Sequence, residues 1–160
     1  MSAQSQIDIL DETSDETQEL LTVIIAGQRF GIPILQIQDV LGEQSITKIP
    51  LAPPEVAGSL NLRGRIVTAI DVRKRLDIDD QGKGNSSEKT MGVVVEYRHE
   101  LYNLIIDRVG DVLKLKNDTF ENNPATLDAV WRDISMGIHR LDGELLVILD
   151  VPKLLDSVNA

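Results

Sequence analysis

The chain of 160 residues carries 16 Lys and Arg against 26 Asp and Glu, which gives a formal net charge of −10. This acidity argues against nucleic-acid binding, because contacts to phosphate groups require a concentrated basic surface. Cysteine is absent, which excludes disulfides and a thiol nucleophile. No apolar run approaches the roughly 20 residues of a membrane-spanning helix. We therefore expect a soluble cytoplasmic protein without direct membrane insertion.

Two stretches of the chain are predicted to be flexible. Residues 1–19 contain several Asp and Glu and no Lys or Arg, which indicates a mobile acidic tail. Residues 81–89 are rich in Gly and Ser and are predicted to be a linker. The linker separates two segments of similar length, residues 20–80 and residues 90–160.

These two segments contain the same pair of sequence blocks in the same order, which indicates an internal duplication. In the first block, Phe30 precedes the run Ile-x-Asp-Val-Leu at 37–41, and 72 positions later Tyr102 precedes Val-x-Asp-Val-Leu at 109–113. The second block joins a Gly-x5-Gly turn, 58–64, to an apolar run, and it returns 79 positions later at 137–143. The second segment therefore holds extra residues between its blocks, around positions 122–131.

Each copy predicts five short strands that are rich in β-branched residues and separated by Gly-bearing turns, a pattern typical of antiparallel hairpins. The predicted strands are residues 21–26, 29–32, 46–49, 58–62 and 66–71 in the first copy and 91–96, 101–106, 112–116, 134–140 and 145–150 in the second. Five short strands suit a small closed barrel, which leaves no exposed sheet edge. Asp71 and Asp150 can cap short helices that follow each copy. We therefore expect an all-β fold of two packed five-stranded β-barrels with short helices.

The side chains needed for catalysis or metal binding do not form a recognisable set. The two histidines, His99 and His139, have no metal-ligand partner at a useful spacing in the sequence. No nucleophile elbow, dinucleotide fingerprint or phosphoryl-transfer motif is present. The acidic residues Asp39 and Asp111 occupy equivalent positions in the two copies, and such repetition indicates an architectural role. We therefore expect no enzyme activity, no catalytic residues, no metal and no cofactor.

The turn in the second block of the first copy differs from its counterpart in one informative position. Both copies keep the glycines that permit a tight turn between two strands, but Arg63 in the first copy is replaced by Asp142 in the second. A feature that both copies keep is predicted to be structural, whereas one found in a single copy is a candidate for function. An arginine at a turn tip can bind a carboxylate in bidentate fashion, although a solvated turn arginine is the simpler alternative.

Four blocks of the sequence closely resemble the CheW family of bacterial chemosensory adaptors. The resemblance covers about residues 20–156 with all the blocks in order. The matching blocks are FGIPILQIQDV at 30–40, NLRG at 61–64 followed by RIVTAIDV at 65–72, LIIDRVGDVL at 104–113, and MG-x5-G-x5-LDV-x2-LL at 136–155.

This resemblance implies two five-stranded SH3-like barrels and an adaptor role between chemoreceptors and the histidine kinase CheA. In that family, the helical hairpin at the cytoplasmic tip of the receptor lies in a groove between the barrels, and the kinase contact involves its regulatory domain. The positions that match the receptor-binding residues are Ile37, Asp39, Gly58, Asn61, Arg63 and Val112. The positions that resemble the kinase-contacting surface are Ile32, Ile34 and Ile37, for which burial in the core is the alternative. Asp39 stands where the family usually has glutamate, so its reach towards Arg63 is one methylene shorter.

Two other functions remain open at the level of the sequence. The chain can be a CheW paralogue that serves a chemosensory pathway other than flagellar chemotaxis, and genomic neighbours would distinguish the two. It can also be an isolated β-barrel that binds a small ligand. Such a barrel requires a sizeable cavity, whereas barrels of this size are normally filled by side chains.

Overall fold

A computed structural model describes residues 16–78 and 89–159 of the chain. The predicted acidic tail as far as residue 15 and the predicted linker as far as residue 88 lie outside these ranges. Within them, no helix has the length and apolar character that crossing a membrane requires. The described residues are mostly in strands, with a few short helices, so the predicted all-β class is confirmed.

The strands and helices of the described residues are numbered here in chain order. The strands are β1 (Thr17–Ile25), β2 (Gln28–Pro33), β3 (Ile37–Leu41), β4 (Val56–Leu62), β5 (Arg65–Asp71), β6 (Met91–Tyr97), β7 (Glu100–Ile106), β8 (Arg108–Lys116), β9 (Phe120–Glu121), β10 (Ser135–Leu141) and β11 (Glu144–Leu149). The helices are α1 (Val72–Arg75), α2 (Ala129–Asp133) and α3 (Val151–Asn159). Short 3₁₀ turns at Ile34–Gln36 and Asn117–Thr119 precede β3 and β9.

The strands form two sheets, and each sheet takes strands from both copies of the repeat. One sheet, called sheet A, has the order β8-β1-β2-β11-β10-β9, and the other, sheet B, has the order β3-β6-β7-β5-β4. The copies are joined by parallel pairing of β2 with β11 in sheet A and of β5 with β7 in sheet B. Neither sheet is therefore formed by one of the predicted segments, 20–80 or 90–160, alone. The β1–β2 hairpin of the first copy lies in sheet A with strands of the second copy, and the β6–β7 hairpin of the second copy lies in sheet B with strands of the first. Closure into SH3-like barrels stays a prediction.

The main core lies between the two sheets. Its buried residues come from strands of both sheets and from α1 and α3, and they include Phe30, Ile70, Tyr102 and Leu154. Two smaller apolar clusters each use the strands of one sheet only, one around Val67 in sheet B and one around Leu20, Leu146 and Ile148 in sheet A. Each sheet therefore packs a small cluster of its own in addition to its part of the main core.

One predicted strand is wrong and two other boundaries move. Residues 46–49 make a single bridge, Thr47 to Ser59, instead of a strand. Prolines at 50, 53 and 54 remove backbone donors from the rest of this segment. β3, and not residues 46–49, is an edge strand of sheet B. β1 begins at Thr17, inside the predicted tail, where Glu19 lies opposite Lys114 of β8. β8 begins at Arg108, four residues before the prediction.

The predicted helix caps are confirmed. The carboxylate of Asp71 accepts a hydrogen bond from the backbone N–H of Lys74 at 3.2 Å, and Asp150 accepts one from Lys153 at 3.1 Å. These bonds satisfy backbone donors that a helix leaves unpaired in its first turn. In each copy an aspartate at the end of an inner strand, Asp71, or directly after it, Asp150, therefore begins the helix that packs on the main core.

Candidate functional site

Arg63 and Asp39 form an ion pair on the surface of sheet B. Nη2 of Arg63 donates to Oδ2 of Asp39 at 2.9 Å, across 24 residues of sequence. The Arg63 side chain is 75% exposed and that of Asp39 is 29% exposed. The shorter aspartate therefore does reach the arginine, and it holds the guanidinium in place while leaving most of it open to solvent.

The β4–β5 turn places Arg63 at the tip of the hairpin. Arg63 and Gly64 have φ values of 53° and 87°, which is the left-handed pair of a two-residue type I′ turn. The side-chain oxygen of Asn61 accepts a hydrogen bond from the N–H of Gly64 at 2.9 Å and so closes the turn. Asn61 thus helps to fix the position of Arg63. The turn requires a side chain that can accept this hydrogen bond at 61 and a residue that tolerates a positive φ at 64, which asparagine and glycine supply.

The electrostatics of the pair follow from its hydrogen bonds. The guanidinium of Arg63 holds the pKa of Asp39 below its ordinary value, and the N–H of Val40, which donates to Asp39 Oδ1, lowers it further. Asp39 is therefore a carboxylate throughout the physiological range of pH. The pair is exposed, so we assign it a positional role and little weight in folding stability.

Gly58 supports this hairpin from inside the fold. It is buried, and a Cβ atom at this position would lie 2.2 Å from the carbonyl oxygen of Thr47. Its φ of 150° is also a conformation that other residues rarely adopt. Gly58 therefore allows the segment at Thr47 to bridge to Ser59, which gives it a structural role beside the exposed residues of the site.

The remaining residues that the resemblance selected for receptor binding lie on both sheets. Ile37 begins β3 and packs half-buried against the main core, whereas Val112 lies on β8 of sheet A with 52% of its surface exposed. The structure adds two apolar residues that sequence reasoning missed, Val40 on β3 and Ile66 on β5, which are 39% and 69% exposed. Val40 is the repeat counterpart of Val112, and this equivalence was a signal that both valines are exposed.

The residues that resemble a kinase-contacting surface divide into buried and accessible ones. Ile32 has no exposed surface and belongs to the main core, so its side chain cannot contact a partner in this fold, and that assignment is corrected. The side chain of Ile32, on β2 between β1 and β11, points into the space between the two sheets. Ile34 and Ile37 are half-buried against the same core. They keep a partly accessible surface at the 3₁₀ turn.

Leu35, which sequence reasoning did not select, is the most exposed residue of this turn. It is 96% exposed and lines a groove of about 400 Å³ next to sheet A. The other lining residues are Thr17, Gln18, Glu19, Pro33, Ile34 and Lys114. We name this the Leu35 groove.

The repeat contained a signal for Leu35. Its counterpart in the second copy is Asp107, whose carboxylate accepts two hydrogen bonds from Arg73, at 2.9 and 2.7 Å, and one from the N–H of Ala26. One copy therefore fastens this bend with an ion pair, and the other presents an unpacked leucine. Such a difference between copies marks Leu35 by the same logic that selected Arg63.

Neither site has the composition of a metal centre. Among residues 16–78 and 89–159, no three His, Asp or Glu side chains are grouped as metal ligands would be. The ion pairs Arg29–Glu144 and Arg140–Glu121 tie neighbouring strands together at the surface, with N–O distances of 2.8 and 3.0 Å. The surfaces described above offer hydrogen-bond donors and apolar contact area, which are the requirements of protein docking.

The fold and these surfaces define a two-sheet β protein with an arginine-bearing hairpin tip on sheet B and an exposed leucine over a groove beside sheet A. Residues 19–159 match the family model described as the CheW-like domain. The chain therefore belongs to the CheW family, and the resemblance of its sequence blocks is confirmed.

Curated relatives and a solved structure agree with this membership. The chain is 30% identical over 140 residues to the chemotaxis protein CheW of Klebsiella aerogenes, covering 88% of this chain and 82% of the relative. It is 26% identical over 141 residues to the chemotaxis protein CheW of Thermotoga maritima, covering 88% and 89%. The crystal structure of the scaffolding protein TtCheW from Thermoanaerobacter tengcongensis superposes with a TM-score of 0.72 at 30% identity, covering 82% of this chain and 88% of that one.

Proposed function

We propose that the protein is a non-catalytic adaptor that couples chemoreceptors to the histidine kinase CheA in bacterial chemotaxis. The observation that carries this proposal is the Arg63–Asp39 pair, a fixed and exposed guanidinium that only one copy of the duplicated scaffold possesses. Relatives named as chemotaxis and scaffolding proteins support it. The protein acts in the cytoplasm, recruited to membrane-associated receptor arrays, without a cofactor.

The proposed receptor surface consists of Arg63 and Asp39 together with exposed apolar residues of both sheets. A guanidinium has five N–H donors in a planar fork, and Asp39 engages it through Nη2 only, so it can also donate to a polar group on a receptor helix. Val40, Ile66 and Val112 supply apolar surface that a helical hairpin can cover. Holding Arg63 in place before binding lowers the entropy cost of ordering it in the complex.

The proposed kinase surface is the Leu35 groove, with Ile34 beside it and Ile37 at the start of β3. Covering a fully exposed leucine removes its apolar surface from water, which favours binding by about 1.5–3 kcal/mol. The regulatory domain of CheA is the partner we assign to this surface. Because Leu35 lies beside sheet A and Arg63 projects from sheet B, a receptor and a kinase can be held at once, and joining two weak contacts raises the effective concentration of each partner.

The small-ligand alternative is disfavoured by how the sheets are filled. Each sheet packs its own apolar cluster with side chains, around Val67 in sheet B and around Leu146 in sheet A. The Leu35 groove lies at the surface instead. The paralogue alternative concerns only which receptors and which kinase are coupled, and it uses the same two surfaces.

The test of the receptor surface is co-purification with a fragment of the cognate receptor tip. We expect Arg63→Glu to abolish retention of the fragment, while Arg132→Glu, an equal change of charge at an exposed position of α2, leaves it unchanged. Circular dichroism should show the same fold for both variants. Equal retention by the two variants would contradict the assignment of Arg63.

A further inference from the structure

The chain enters the described fold at the Leu35 groove. β1 begins at Thr17, and its first three residues line this groove. The pairing of β1 with β2 ends with Leu20 opposite Pro33, so the turn that follows Pro33 and carries Leu35 lies beside the first residues of β1. Residues 1–15, which lie outside the described ranges, are therefore tethered at the rim of the surface assigned to the kinase.

The sequence of residues 1–15 combines acidic side chains with a short group of apolar ones. The apolar residues are Ile7, Ile9 and Leu10, which we call the apolar run, and aspartates lie within it and directly after it. Leu10 is six positions before Glu16, the first described residue, and an extended chain covers up to about 20 Å over that length. The apolar run is therefore close enough along the chain to reach the Leu35 groove.

A comparison of the two copies connects the apolar run with the exposed leucine. In the second copy, the bend that corresponds to Leu35 is fastened by the ion pair of Asp107 with Arg73. Residues 79–90, which precede β6 of that copy, contain no Val, Ile, Leu or aromatic residue. In the first copy, the bend exposes a leucine and the residues before β1 contain the apolar run. The exposed apolar bend and the apolar residues ahead of the first strand therefore occur together, and only in one copy.

The charged residues of the groove give this contact modest further support. Lys114 on β8 and Glu19 on β1 line the groove and lie opposite one another in sheet A, and Lys116 lies opposite Thr17 at the rim. Among the residues that the structure describes, neither lysine forms an ion pair. Both can attract the aspartates beside the apolar run, whereas Glu19 repels them. Because exposed ion pairs contribute little, we assign the contact mainly to the apolar residues.

We propose that the apolar run occupies the Leu35 groove of its own chain and competes there with the kinase regulatory domain. This inference rests on the proposed function, because the groove is the surface assigned to the kinase. Contact between the run and Leu35 removes apolar surface of both from water. Because the run is tethered beside the groove, its effective concentration there is of the order of millimolar, so a contact too weak to join separate molecules still competes with a partner.

The apolar run thereby reduces the measured affinity of the adaptor for the kinase. The kinase domain binds only chains whose groove is open, so its measured dissociation constant is the intrinsic constant divided by the open fraction. With about one groove in five open, binding is about fivefold weaker than in a chain whose run cannot occupy the groove.

Occupancy of the groove is tested by paramagnetic NMR on the full chain. The sequence has no cysteine, so Ser5→Cys provides a single attachment site for a nitroxide label. We expect the label to broaden the backbone amide signals of Leu35 and Lys114 in the ¹⁵N-labelled chain. The same label in a chain that also carries Ile7→Ser, Ile9→Ser and Leu10→Ser, called the triple-serine chain, should not broaden them, because that chain keeps the tether and the charges but loses the apolar contact.

Two further substitutions and a mixing experiment locate the contact. Leu35→Ser should reduce the broadening in the rest of the groove, whereas Leu51→Ser, which changes an equally exposed leucine outside the groove, should leave it unchanged. Broadening that is equal in the wild-type and triple-serine sequences would overturn the proposal. Spin-labelled chain without ¹⁵N, mixed with ¹⁵N chain without the label, should cause no broadening. Broadening in that mixture would place the run in the groove of a second copy and would also overturn the proposal.

The effect on docking is tested by calorimetric titration of the cognate kinase regulatory domain into the wild-type chain and the triple-serine chain. We expect the triple-serine chain to bind about fivefold more tightly, because its groove is always open. Equal dissociation constants, or weaker binding by the triple-serine chain, would contradict the competition. If neither chain binds the domain, the proposed kinase surface is wrong instead, and the paramagnetic measurement then decides whether the run occupies the groove.

Discussion

The indole N–H of Trp131 donates a hydrogen bond to the carbonyl oxygen of Leu76, with 3.1 Å between the two atoms. Trp131 belongs to α2, in the extra residues of the second copy, and Leu76 follows α1 in the first copy. The Trp131 ring also packs edge to face on Phe30, with 5.1 Å between centroids. The insertion in one copy therefore covers the main core that both copies share.

Replacing Trp131 with phenylalanine should destabilise the protein without changing its fold. The ring contact with Phe30 is kept, but the carbonyl of Leu76 loses its donor, so we expect the free energy of unfolding to fall by about 1–2 kcal/mol. Urea unfolding followed by circular dichroism measures this change. Trp131→Ala, which also removes the ring, should cost clearly more. A phenylalanine variant as stable as the wild type would show that the hydrogen bond contributes nothing, and equal losses in the two variants would show that the ring contact contributes nothing.

Gly58→Ala should disturb the support of the arginine turn. The new Cβ would meet the carbonyl oxygen of Thr47 and the side chain of Ile46, so either the bridge to Ser59 or β4 must move. We expect a loss of about 1–3 kcal/mol, the usual cost of overpacking. The matched control is Gly42→Ala, because no atom lies within 4 Å of a Cβ built there. Thermal unfolding of both variants is the measurement, and equal melting temperatures would contradict the role of Gly58.

The ion pair between Asp107 and Arg73 predicts that the protein loses stability in acid. Burial raises the pKa of this carboxyl, but the hydrogen bonds from Arg73 and from the N–H of Ala26 outweigh it, and the pKa lies below its ordinary value. The carboxylate of Asp107 therefore binds a proton more readily in the unfolded chain than in the native one. Its contribution to the free energy of unfolding is fully present above the ordinary carboxyl pKa and is lost as pH falls through the lower, native pKa. Unfolding measured from pH 7 down to pH 2 should show this loss, and Asp107→Asn should remove its share of the pH dependence.

Most strand positions and the helix caps followed from the sequence, whereas β3, β9 and the partners of the strands did not. Local alternation and Gly-bearing turns predict a hairpin such as β6–β7, but nothing local specifies that β5 pairs with β7 across the linker. Phe30 and Tyr102 revealed the duplication without revealing that the copies exchange hairpins. Non-local pairing depends on which apolar faces fit together, and this is visible only in the assembled core.

The candidate site was predicted best where a residue differs between the copies. Arg63 was selected because Asp142 replaces it, and the structure places it at a turn tip, paired with Asp39. The sequence left Ile32 open between the kinase-contacting surface and the core, because a short apolar run has no clear period from which to assign its faces, and the structure buries it in the main core. Leu35 was missed in the same run for the same reason.

Asp39 should matter for binding and very little for folding. Asp39→Ala releases Arg63 from its fixed position, so we expect receptor binding to weaken several-fold while the free energy of unfolding changes by less than about 1 kcal/mol. Asp39→Glu, the residue usual in the family, should restore binding because it keeps the carboxylate. Titration calorimetry with a receptor fragment separates the two variants, and a glutamate variant as weak as the alanine one would contradict the positional role of Asp39.

The central claim, that two separate surfaces bridge a receptor and a kinase, is tested most directly by co-elution of a receptor fragment, the CheA regulatory domain and this protein in size-exclusion chromatography. Leu35→Glu should release the kinase domain and keep the receptor, and Arg63→Glu should release the receptor and keep the kinase domain. Leu51→Glu is the matched control, because Leu51 is also fully exposed but lies in the loop before β4. A three-component peak that survives both substitutions, or a single substitution that releases both partners while the protein stays folded, would contradict the account.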